Sequence, residues 1–528
     1  MNTAGKGVTM GSNGGTGTLT LREGGVLTTS FLKKGSGTAH ATFDGGTIKA
    51  HDANNAGTFI SGIGDVKYTA KGLTVDTNGK NVSMVNNTVA LAVHGSALNK
   101  AGSGTLTVDA LPSTDGVNVN AGTLALSANC DNTVSSVLAH RWSFNGTTDA
   151  ENLTDSVGGV EGKMRHHTGT TTIADGGTVN WTNGKASLPG GAGAGYLNLG
   201  QGVLGTGNAV TLELWVTKDV NPSTWAYLFA YNKEDEKKLI TISANLGASS
   251  KNNINKIESS LGFNYQMPAN DPAVIPLDGT YHYTVTFCAN ESGGTVVRWV
   301  IHDAATGLLK GDFTYTANNW TLADATSWSL TLGSNPWLNN TYEMKASYDE
   351  VRVWNTALSD EAIAISVNKG PNASDGDIAA IATASSRTLK VASGATLDLG
   401  GHTLTQPRLA GTATVQNGTL NVGTLAPGGD GTSGTIALNI SSVSGVIRID
   451  NGDTFTTTTA GLDLSGATID LATPPTRSFV VGTASGSGSF ATGRPALTVN
   501  GAPLKGWMVK RSGNTLKVSK GGVMILAK

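Results

Sequence analysis

Residues 417–438 read NGTLNVGTLAPGGDGTSGTIAL. GTLNV at Gly418 and GTIAL at Gly434 each set a glycine before a short run that alternates small polar and aliphatic side chains. Alternation with period 2 is the pattern of a strand with one buried face, and the glycine opens the corner that begins it. The phrase recurs as GTLTL at Gly17, GTIKA at Gly46, GTLTV at Gly104 and GTLAL at Gly122. It returns as GATLDL at Gly394 and GATIDL at Gly466. Intervals are irregular, 18 residues from Gly104 to Gly122 and 24 from Gly394 to Gly418.

Strands this short cannot bury an apolar face alone, so repeats of about 20 residues are expected to stack. The economical arrangement is a parallel β-helix, with Leu, Ile and Val stacked inside and Thr, Asn and Asp in water. Antiparallel meanders or sandwiches satisfy the same phrase, because its periodicity does not distinguish parallel from antiparallel pairing.

Composition agrees with an extensive, weakly charged all-β protein. Of 528 residues, 71 are glycine and only 14% are charged. The 14 prolines and the lack of a Gly-X-Y period exclude collagen, and 38% hydrophobic residues in alternating runs argue against disorder. A net charge of −2 removes the basic footprint of a nucleic-acid binder. No run of 18 apolar residues is present to form a transmembrane helix. The opening MNTAGKGVTMGSNGG has no apolar leader core, so an exported protein is expected to be represented here in mature or excerpted form. Cys130 and Cys288 match no zinc spacing, and either two buried thiols or one disulfide satisfies the sequence.

Aromatic residues divide the chain. Nine of ten Trp fall between Trp142 and Trp354, and the middle region holds 23 of 31 aromatics. The expected domains are 1–135, a β-helix-like repeat region; 136–370, an antiparallel jellyroll β-sandwich; and 371–528, further repeats with C-terminal strands. Whether the two flanks form one interrupted coil stays open. In the middle, TLELWV (211–216) and YTVTFC (283–288) alternate most clearly. LSDEAIAI (358–365) reads as a single short helix, with Ser359 as N-cap and Asp360 and Glu361 at its positive end.

The flank phrases, with GTLTLREGG (17–25), GSGTLTVDA (102–110), NAGTLALS (120–127) and VASGATLDLGGHTLT (391–405), resemble autotransporter-associated β-strand repeats. That resemblance implies a right-handed parallel β-helix exported to the cell surface. The terminal SGNTLKVSKGGVMILAK is no outer-membrane barrel, which puts anchoring of that kind in doubt. HRWSFNG (140–146), LTDSVGG (153–159), AVTLELWVT (209–217), GTYHYTVTFCA (279–289) and ASYDEVRVWNTALSDEAI (346–363) resemble the laminin-G-like, concanavalin A-like jellyroll domain of bacterial extracellular proteins. The resemblance implies a structural calcium held by Asp155 and Asp349, with Ser156 and Gly158 as carbonyl donors.

Catalytic constellations are sparse. The Glu-x-Asp-x-x-Glu of concanavalin A-like hydrolases is missing, and Glu234-Asp235-Glu236 reads as a solvated hairpin. Asp398, Asp450, Asp463 and Asp470 read as scattered, solubilising residues, and His166-His167 as loop histidines. Trp142, Trp215, Trp299 and Trp354 lie in strands and are expected in the core. Trp225, Trp320 and Trp337 sit beside turn residues and are the candidates to stack on a sugar ring, with Tyr231, Asn335 and Asn145 as polar contacts. The leading expectation is a secreted, non-enzymatic bacterial surface protein whose β-helix presents a jellyroll to carbohydrate or another surface ligand, as an adhesin does. The alternatives are a structural stalk or matrix protein that self-associates, and a polysaccharide-degrading enzyme.

Overall fold

The computed structural model describes the chain except residues 1–2, 4–5, 53–56, 93–94, 133–137, 170–171, 205–206, 219–226, 234–237, 244–255, 260–262, 267–278, 291–293, 318–320, 335–342, 386, 430–431, 451 and 522–528. The chain divides into two units: Met1–Val134 with Ser386–Lys528, and Ser135–Ser385. Both are nearly all β.

In the first unit the glycine phrases become strands of long parallel sheets. Thr105–Val108 pairs Thr123–Leu126, which pairs Thr396–Asp398 and then Thr414–Gln416, all parallel. Gly116–Val119 likewise pairs Thr388–Val391 in parallel, so both sheets run directly from the first flank into the second. Each sheet has 13 strands, and the N-terminal passes add a third sheet of four, beginning at Thr16–Arg22. Ladder register aligns like with like. Leu106 lies beside Leu124, Leu124 beside Leu397 and Leu397 beside Val415, and all four are fully buried. Each such aliphatic contributes roughly 1.5–3 kcal/mol by leaving water. At the C-terminal end Thr515–Lys520 and Trp507–Ser512 pair antiparallel, closing one sheet.

Glycines are required where backbones touch. At Gly445, φ is +100° and a Cβ would stand 1.6 Å from the Val422 carbonyl oxygen of the next strand. Lys100 shows how the interior handles a charge. Its fully buried ammonium donates to the carbonyls of Ala101, Gly102 and Ala121 and to Thr77 Oγ1, at 2.7–3.2 Å. Among the flank acids, Asp470 is buried rather than solubilising. It pairs with Arg448 and accepts from Thr498 Oγ1 at 2.6 Å and from Gly501 N at 2.9 Å. Asp453 is buried as well, bonded to the backbone N–H of Gly434 at 2.7 Å.

The second unit is a sandwich of two eight-stranded sheets with antiparallel ladders. The first centres on Ala209–Lys218, flanked by Thr280–Ala289 and Lys345–Trp354. The second centres on Ser329–Leu332, flanked by Gly195–Gln201 and Tyr227–Lys233. Alternate residues of both fill one core, including Leu212, Leu214, Phe287, Val353, Leu197, Phe229 and Leu332.

Three helices are described where one was expected. α1 (Asp149–Leu153) carries a capping box between Thr148 and Glu151. α2 (Asp360–Lys369) starts at Ser359, whose hydroxyl accepts from Ala362 N at 3.1 Å. α3 (Asp375–Ala384) follows Ser374, whose hydroxyl accepts from Asp377 N at 3.3 Å. The marks of α1 and α3 are Thr148-x-x-Glu151 and Ser374-x-x-Asp377, too brief to stand out as apolar periodicity.

Candidate functional site

The residues singled out from sequence fall into three groups. Trp225, Trp320, Trp337 and Asn335 lie outside the described residues. Trp142, Trp215, Trp299 and Trp354 are core residues, none more than 1% exposed. Tyr231 is also core and not a surface contact. It is fully buried, its ring centroid is 6.1 Å from that of Phe287 on the opposite sheet, and its hydroxyl has no hydrogen-bond partner among the described residues. The reason is register: Tyr231 lies two residues beyond Phe229 and so shares its inward face. Asn145 is exposed and bonds Asn372.

Asp155 anchors a turn. Its Oδ1 accepts from the backbone N–H of Arg141 at 2.8 Å and of Val157 at 3.0 Å, while Oδ2 stands 2.7 Å from His140 Nδ1. Burial opposes its charge, but the bonds from His140, Arg141, Val157 and Gly158 outweigh burial and hold the carboxyl at about 2. Ser156 donates to the Arg141 carbonyl through both N–H, at 2.9 Å, and Oγ, at 3.1 Å. Gly158 is packed so closely that a Cβ there would stand 2.6 Å from Asp155 Oδ2. Asp349 pairs with Lys185 Nζ at 3.2 Å. A calcium ion takes six to eight oxygens, and a carboxylate ringed by N–H groups with a second carboxylate already paired to an ammonium does not fit one. Among the described residues no group of three or more His, Cys, Asp or Glu is placed to hold a metal.

On the outer face of the first sheet lies a buried charge network beneath α2 and α3. His282 Nε2 is 2.9 Å from Glu213 Oε1, and Trp354 Nε1 donates to Glu213 Oε2 at 2.6 Å. Arg352 donates to Glu350 Oε1 at 2.5 Å and to Ser366 Oγ at 3.0 Å, and its guanidinium lies 4.4 Å from the Trp215 ring centroid. Arg141 donates to Glu350 at 2.8 Å and to the Ala373 carbonyl at 2.8 Å. Burial acts against the Glu213 charge, yet His282 and Arg352 hold it below the usual carboxylate range. Leu138, Val300, Trp354, Leu358, Ile363, Val367 and Ile381 close over this layer. Through Arg352–Ser366 and Arg141–Ala373 it fastens the helical segment to the sheet.

The outer face of the second sheet is different. Leu197, Phe229, Leu330 and Leu332 point inward, so Tyr196, Asn232 and Thr331 point outward. His167 is not a loop residue; it ends the strand Lys163–His167 and is buried. His167 Nδ1 is 2.8 Å from Glu343 Oε1, and its ring stacks on Tyr196 with centroids 5.4 Å apart. The Met344 N–H donates to the Gly333 carbonyl, placing Glu343 beside Ser334. Thr331 Oγ1 donates to the Ser334 carbonyl at 2.7 Å, and Asn232 Nδ2 donates to Thr331 Oγ1 at 3.0 Å. A continuous run of buried polar side chains therefore crosses this face. Nothing local in the sequence marks it, because its members come from separate strands. The one available signal is the polar alternate of SLTL (329–332).

Several solved structures resemble the chain weakly. A structure described by the words "cell entry of botulinum neurotoxin type C is dependent upon interaction with two ganglioside molecules" is 13% identical, covers 44% of this chain and has a TM-score of 0.29. The chain spans about half of that protein, 51%. The CBM2 module of Lactobacillus casei BL23 phage J-1 evolved Dit is 11% identical over 42% of this chain and 98% of its own, with a TM-score of 0.27. Alginate lyase Aly36B is 16% identical over 34% of this chain and 85% of its own, with a TM-score of 0.23. No curated protein matches the chain. Residues 190–364, within the sandwich, match the model of the Concanavalin A-like lectin/glucanases superfamily, of the laminin G type.

Proposed function

We propose that the sandwich is a carbohydrate-binding module, carried by flanks that form a right-handed parallel β-helix of the autotransporter-repeat kind in a secreted bacterial surface protein. The observation that carries the reading is the match of residues 190–364 to a lectin/glucanase family, on a sandwich whose second sheet turns polar side chains outward. Binding is favoured over catalysis because the sandwich carboxylates Glu213, Glu343 and Glu350 are each tied to a His or Arg. An acid–base pair needs one carboxyl free to hold a proton and another free to attack or to activate water.

The test is a glycan array probed with the full chain, followed by the variants Trp225→Ala and Trp337→Ala. Binding that falls in either variant supports sugar stacking on those rings. A wild-type protein that binds no glycan refutes the reading and leaves a structural surface protein that self-associates.

A further inference from the structure

Among the described residues, His167 Nε2, Ser334 Oγ and Asn232 Oδ1 on the outer face of the second sheet have no hydrogen-bond partner. They belong to the single run of contacts from His167 through Glu343, Ser334 and Thr331 to Asn232. A buried polar atom without a partner costs about 1–3 kcal/mol, and one face of one sheet holds three.

The chemistry of the three atoms defines what would satisfy them. His167 Nδ1 is bound to the Glu343 carboxylate, which leaves Nε2 to meet a ligand. Asn232 Oδ1 is an acceptor, because its amide nitrogen is spent on Thr331. Ser334 Oγ can give or take a hydrogen bond. An amide acceptor, a hydroxyl and an imidazole nitrogen suit a neutral group rich in hydroxyls, which both donate and accept, and not a carboxylate or phosphate. The stacked His167 and Tyr196 rings add a flat apolar surface beside them.

We infer that the run His167–Glu343–Ser334–Thr331–Asn232 is a subsite for the hydroxyl groups of a neutral sugar. This rests on the carbohydrate reading above and names the residues and the ligand class within it. Glu343 is a positioning residue, holding the His167 ring; His167, Ser334 and Asn232 contact the ligand.

The experiment uses the full chain with an array of neutral, sialylated and uronate oligosaccharides, then calorimetry on the strongest neutral glycan. The variants are Ser334→Ala and Asn232→Leu, each of which removes an unpartnered atom. Melting temperatures are expected to hold or rise, while affinity falls about tenfold or more per variant, the loss of roughly one hydrogen bond. In a wild-type sample with 15N-labelled histidine, glycan addition is expected to shift the His167 Nε2 resonance, a readout that needs no variant to fold. If the variants melt higher and bind as before, with an unmoved His167 signal, the atoms are buried defects or ordered-water sites and the inference is overturned. If the array shows only acidic glycans bound, the ligand class is wrong. A blank wild-type array instead refutes the carbohydrate reading itself.

Discussion

Lys218 ends the central strand of the first sheet on the inward face shared by Leu212, Leu214 and Val216. It is 2% exposed, and among the described residues its Nζ has no hydrogen-bond partner and lies over the Tyr281 ring, 5.4 Å from the centroid. Burial pushes its amine from 10.5 down to about 7. The folded form therefore binds fewer protons than the unfolded chain between those two values, and stability rises with pH across that window. At about 1.4 kcal/mol per pH unit, the amine costs the fold about 4 kcal/mol at pH 7 and about 2 kcal/mol at pH 9. Lys218→Met keeps the chain length and discards the charge. It is expected to stabilise the sandwich by those amounts, with a gain that shrinks as pH climbs. Urea unfolding at pH 7, 8 and 9, followed by tryptophan fluorescence, reads this unit selectively, since nine of ten tryptophans lie between Trp142 and Trp354. A gain independent of pH, or a variant less stable than the parent, refutes the argument.

Asp155 works in the opposite sense. Its carboxyl is held at about 2, so its contribution of roughly 2 kcal/mol is present above the unfolded value of 3.8 and lost as pH falls through 2. Asp155→Ala is expected to lower the sandwich melting temperature, while calcium titrated into wild type and variant gives no difference in heat; an Asp155-dependent calcium signal would falsify the turn-anchor account. In the flanks, Gly445→Ala brings a Cβ to 1.6 Å from the Val422 carbonyl at φ +100°. Strain of about 1–3 kcal/mol plus the lost ladder contact should appear as a lower melting transition of that unit by calorimetry, with the sandwich transition unmoved.

Much of the strand content was readable because it rests on local alternation. Thr105–Val108 and Thr123–Leu126 coincide with the phrases GTLTV and GTLAL. Pairing direction was not, because the partner of Val82 is Leu106, a whole pass along the chain away, and no local pattern encodes its orientation. The third, four-stranded sheet of the N-terminal passes was missed for the same reason. In the sandwich, Ser359 marked α2 by its capping chemistry, whereas α3 opens DGDIAA and carries little apolar periodicity. The site was least legible. Tyr231 was expected as a polar contact to a sugar, yet its register beside Phe229 buried it. His167 and Glu343 are 176 positions apart and meet only after the sheet forms.

The parallel ladder that joins Gly116–Val119 to Thr388–Val391 has a mechanical meaning. Close by, Asn132 bonds both Gln406, 274 positions later, and Arg387. Tension travelling along the flanks passes through this hydrogen-bonded shunt and not through the roughly 250 residues spliced between. The sandwich is a bypassed loop in the force path. Pulled at both flanks, the chain keeps a folded, unloaded sandwich until the shunt itself shears, and a single-molecule trace should release that long hidden length only after that event.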